Sequence, residues 1–77
     1  MSQADETRRS KFERLATARV NRALRELRLI GNLSNRSNYD YSVEDVDKIF
    51  RALSAELKAS KARFDAKDQD RNPDFTL

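Results

Sequence analysis

Between Ile30 and Val46 the sequence stops one helix and starts another, and this punctuation decides the fold class. Gly31, the only glycine, follows an apolar-periodic segment at the place where a left-handed residue closes a helix, with Leu33 set to fold back on the last turn. Ser42 and Asp45 have the spacing of a capping box, in which the cap hydroxyl and an acidic side chain three residues later serve each other's backbone amides. Tyr41 before the cap and Val46 four residues after it form a hydrophobic staple that fixes how the chain enters the second helix. The chain is expected to turn back here into an all-α, antiparallel two-helix hairpin.

The flanking segments carry helical patterning. Ser10-Lys-Phe-Glu13 is a full capping box and places the first helix at about residues 11–30. At ~100° per residue, Phe12, Ala16, Val20, Ala23, Leu24, Leu27 and Ile30 fall in one sector, the expected buried stripe. The second helix is expected over about residues 43–64, with Val46, Ile49, Phe50, Leu53, Leu57 and Phe64 as its stripe. Acidic residues in its first turn and Lys58, Lys61 and Arg63 toward its end both suit the helix dipole. The two stripes share a seven-residue spacing, which suits left-handed antiparallel packing. Ala52, Ala55, Ala59 and Ala62 make a second, small-residue line that reads either as plain helix preference or as a close helix-helix seam. Residues 1–9 read as a disordered arm, 10–65 as the hairpin and 66–77 as a disordered polar tail. In that tail Asp68, Asp70, Asn72 and Asp74 alternate like the opening of a calcium loop, but Pro73 stands where glycine is required and no bidentate glutamate follows.

A chain of 77 residues is one domain at most, and a single core of this size supplies only roughly 3–5 kcal/mol. It contains no Cys and no His, which removes disulfides, the usual structural zinc sites and the commonest general base. The missing stability is therefore expected from a second protein surface, either in a homodimer or with a partner. No apolar run approaches the ~18 residues of a membrane span, and the start lacks a signal-peptide core. The expected address is the cytoplasm, where the glycosylation-like triplets Asn32-Leu-Ser34 and Asn35-Arg-Ser37 read as turn formers.

Catalysis is not expected. Without His or Cys no nucleophile has a base beside it, the Glu44/Asp45 pair is explained by its helix start, and no glycine loop cradles a phosphate or calls for a cofactor. Two binding readings remain. Arg14, Arg22, Arg25 and Arg28, with Lys11 and Arg8, lie opposite the first stripe, and the sequence pI near 9.6 matches an RNA- or DNA-binding helical bundle using that arginine face. Against it, the net charge is only +3 and the connection is too long for a helix-turn-helix. Leu15 and Leu29 sit among those arginines and, with Leu33, Arg36, Tyr39 and Tyr41, make a set of interface-forming side chains that the stripes do not need. The plainer alternative is that Asn and Ser make local turns while the tyrosines cover the open end of the hairpin.

A family resemblance adds a partner class. Arg19-Val-Asn-Arg-Ala-Leu24, Leu29-Ile-Gly-Asn-Leu-Ser-Asn35, Asn38-Tyr-Asp-Tyr41 and Val46-Asp-Lys-Ile-Phe-Arg-Ala-Leu53 resemble a group of short proteobacterial proteins. Within that group the chain is similar to the QseM-type antiactivators of quorum sensing from integrative and conjugative elements of rhizobia, over about residues 11–64. The resemblance implies a small protein that binds a LuxR-type transcriptional activator and blocks it, limiting quorum sensing and element transfer. It supplies no catalytic residue, and the Pro-containing tail beyond Phe64 lies outside it.

Overall fold

The computed structural model of the chain describes residues 6–71, with side chains through residue 67. The described residues are all-helical, as the punctuation implied: α1 spans Arg8–Gly31, a 3-10 turn covers Asn32–Ser34, and α2 spans Val43–Arg71. They divide into two units that meet between Asp40 and Tyr41, and each is described by itself.

In the first unit α1 starts one turn earlier than the Ser10 box implied. Thr7, in extended backbone, is the cap: the Ser10 amide donates to Thr7 Oγ1 at 3.0 Å, and the Thr7 amide donates to Ser10 Oγ at 3.0 Å. Ser10 thus takes the reciprocal position inside the box, its hydroxyl standing where Glu or Gln is usual. Arg8 and Arg9 belong to the helix, not to an arm, and residues 1–5 of the expected arm lie outside the described residues. The other correction is at the far end. Gly31 has φ −60° and ψ −30°, no residue among those described has a positive φ, and the chain tightens from α helix into the 3-10 turn without a left-handed cap.

In the second unit the start of α2 is as expected. The Asp45 amide donates to Ser42 Oγ at 3.0 Å, and the Ser42 amide donates to Asp45 Oδ2 at 2.9 Å. Tyr41 and Val46, the two ends of the staple, are both half-buried. The helix runs past Phe64 to Arg71, seven residues beyond its apolar pattern. Lys61 and Asp65, four apart and 3.3 Å from each other, bridge the place where the pattern ends. The backbone of residues 68 to 71 is therefore helical, not the loop a calcium site needs, and residues 72–77 of the expected tail lie outside the described residues.

None of the described residues is buried. Phe12, Val20, Leu24 and Leu27 of the first stripe stay exposed, and Ala16 and Ile30 are half-buried. In α2 Val46 and Leu53 are half-buried, while Ile49, Phe50, Leu57 and Phe64 remain exposed. The reason is geometric: a single helix presents its apolar stripe on one side and has no second layer of its own to cover it.

Candidate interaction surfaces

The connection after α1 is pinned by one side chain and its backbone. Asn35 accepts the Ser37 amide on its Oδ1 at 2.9 Å, and its carbonyl accepts the amides of Asn38 and Tyr39 at 3.1 and 3.0 Å. An Asx turn thus fixes residues 35 to 39, so Asn35 acts as the turn former its triplet suggested. Leu29 and Leu33 stand four residues apart across the end of α1 and the 3-10 turn. Leu29 is 58% exposed, Leu33 47% and Tyr39 48%, so the three large apolar side chains stand in water on backbone held by hydrogen bonds. Arg36 and Tyr41 are each already engaged by another group. Tyr41 belongs to the second unit, and Leu15 is half-buried on the side of α1. Of the six candidate protein-contact residues, Leu29, Leu33 and Tyr39 are the most available.

The second surface is the basic side of α1. Over the whole of α1, Arg8, Arg9, Lys11, Arg14, Arg19, Arg22, Arg25 and Arg28 are offset only by Glu13 and Glu26, a net of six positive charges, and all but Arg9 lie on or at the border of the basic side, whereas acidic and basic residues balance in α2. Arg14 is not free. It donates from Nε to Glu6 Oε2 at 2.7 Å and from Nη2 to Glu6 Oε1 at 3.1 Å, and this pairing holds the Glu6 carboxyl below the usual carboxylate range. Arg9 pairs with Glu13 at 3.1 Å and lies 5.9 Å over the Phe12 ring. Lys11, Arg19, Arg22, Arg25 and Arg28 are exposed and, among the described residues, form no ion pair. Only position and partner geometry distinguish these from Arg14, and sequence spacing carried no sign of the Glu6 clasp.

Neither unit holds a metal centre among the described residues. No cluster of acidic residues is arranged to hold a metal ion, and the concavity along Ala16, Thr17, Val20 and Asn21 is a shallow, open groove on α1. No helix there is long and apolar enough to cross a membrane. Comparison with family models, curated proteins and solved structures finds no match.

Proposed function

We propose that this chain is a small protein-binding module that acts in the cytoplasm by holding a LuxR-type transcriptional activator inactive. The observation that carries the binding reading is the exposure of Leu29, Leu33 and Tyr39 at 47–58%, with Leu29 held by α1, Leu33 by the 3-10 turn and Tyr39 by the Asn35 turn. Apolar and aromatic side chains on ordered backbone lose little conformational freedom when covered, which is what makes them interface anchors. The composition supports the same reading, since a chain with no His and no Cys has little to offer catalysis. The partner class comes from the resemblance to the QseM-type antiactivators, whose action limits quorum sensing and conjugative transfer.

The test is a promoter reporter driven by a LuxR-type activator, with this chain co-expressed. The parent chain is expected to repress the reporter. Leu29→Ala and Tyr39→Ala are expected to release it while the far-UV circular dichroism stays near that of the parent, because truncating an interface anchor costs about 2 kcal/mol or more of binding. Repression by both variants at the parental level would move the contact away from the connection.

A further inference from the structure

We infer that the basic face of α1, the side on which Leu29 also lies, is a docking surface for the phosphate backbone of duplex DNA. The face runs from Lys11 to Arg28, about 25 Å of helix, on a helix that as a whole carries six net positive charges where α2 carries none. Arg19, Arg22, Arg25 and Arg28 follow one another at three-residue intervals, exposed and without an ion pair among the described residues. A face that served only solubility would work equally with lysine. Yet α1 has one lysine and seven arginines, and the arginine fork matches phosphate oxygens two at a time.

Two features choose the kind of nucleic acid. Single strands are gripped by aromatic platforms that stack bases, and the only aromatic residue of α1, Phe12, lies on the opposite, apolar side beneath Arg9. A helix about 10–12 Å across fits the ~12 Å major groove of B-form DNA, whereas the major groove of A-form RNA is too narrow to admit it. Arg19 and Arg28 stand at the two borders of the basic arc, where they reach phosphates on either rim, with Arg22 and Arg25 between them.

The experiment is fluorescence anisotropy of the full chain against a labelled mixed-sequence DNA duplex across a salt series, with the same-sequence RNA duplex as competitor. If Arg19, Arg22, Arg25 and Arg28 each neutralise one phosphate, log affinity falls with log salt at a slope of about −3.6, or about 10²-fold between ~50 and ~200 mM salt. Arg22→Ala with Arg25→Ala is expected to halve that slope, as is Arg19→Gln with Arg28→Gln, so two independent pairs report the same face. Lys58→Ala with Arg63→Ala removes the same charge from α2 and is expected to leave the slope unchanged. Absence of DNA binding at ~50 mM salt, an equal loss in the α2 control, or tighter binding of the RNA duplex would each overturn the inference.

Discussion

The Glu6 carboxylate reaches past the Thr7 cap to accept two hydrogen bonds from the Arg14 guanidinium, at 2.7 and 3.1 Å across eight residues. This clasp answers a local problem: the first turn of α1 has Arg8 and Arg9 but no acidic residue, the wrong sign for the positive end of the helix dipole. Arg14 lowers the Glu6 pKa, first through the hydrogen bond, so the clasp's contribution is present above the ordinary carboxylate range and is lost as pH falls through the lowered value. Glu6→Gln should therefore speed amide exchange over residues 8–14 at neutral pH and leave the turns beyond Val20 alone. The parent should show the same local loosening only on acidification. Identical exchange in variant and parent at neutral pH would mean that the clasp holds nothing.

The start of α2 rests on a reciprocal pair, Ser42 and Asp45, with hydrogen bonds of 2.9 and 3.0 Å. Ser42→Ala should cost about 1 kcal/mol of helix stability, the usual value for losing a cap hydroxyl. The backbone amide of Ser42, then its hydroxyl, pulls the Asp45 pKa down. Stability linked to Asp45 is thus present above the ordinary aspartate range and disappears as pH drops through the depressed value. A pH series of thermal melts should show that acid arm in the parent and a shallower one in Ser42→Ala.

Those two ends of helices differ in how legible they were. Ser42 and Asp45 were read correctly because cap, acid and following apolar residues all sit at the spacing a capping box requires. At the start of α1, Ser10 and Glu13 match the Ser/Thr-x-x-Glu pattern, whereas the box that forms, Thr7 with Ser10, has a serine where that pattern has Glu or Gln. Apolar periodicity located the body of α2 but not its end, because a polar extension needs no buried face, and Pro73 is the first helix-breaking residue after Ser42. For the candidate surfaces, residue type pointed to Leu29, Leu33 and Tyr39 and the Asn35 triplet to a turn, but how far each side chain is exposed, and that the Asn35 carbonyl holds the amide of Tyr39, came only from the structure. The pairing of Arg14 with Glu6 was hidden for the same reason: an eight-residue reach is neither of the helical spacings that pattern reading looks for.

Stripes that their own helices leave open require a second apolar surface, and self-association at micromolar concentration is the expected outcome for the isolated chain. Ile49, Phe50 and Leu57 are 40%, 49% and 74% exposed, and half-buried Leu53 stands among them on α2. Leu53→Asp puts a charge in the middle of the surface that association would dry, where an unpaired carboxylate is strongly unfavourable. Sedimentation should show the parent associating and the variant monomeric, with lower helicity. A parent that stays monomeric and fully helical at high concentration would show that the stripes need no second copy.

Gly31 gives the sharpest contrast between a sequence rule and the backbone. The rule makes the glycine a left-handed cap, where alanine would be strained. In the structure its φ is −60° and ψ −30°, ordinary helical values, and a Cβ added there would meet nothing within 4 Å. Glycine in such a position is a cost, because it gives up more freedom on folding than alanine and gains no contact in return. Gly31→Ala should therefore stabilise the end of α1 by up to about 1 kcal/mol, read as a raised thermal midpoint of its helical signal. The added methyl extends helix propensity into the turn between Leu29 and Leu33 without touching either, so repression of the reporter should be retained. A lowered midpoint would instead mean that residue 31 takes up a left-handed conformation in solution, and the Leu29–Leu33 surface would have to be redrawn around it.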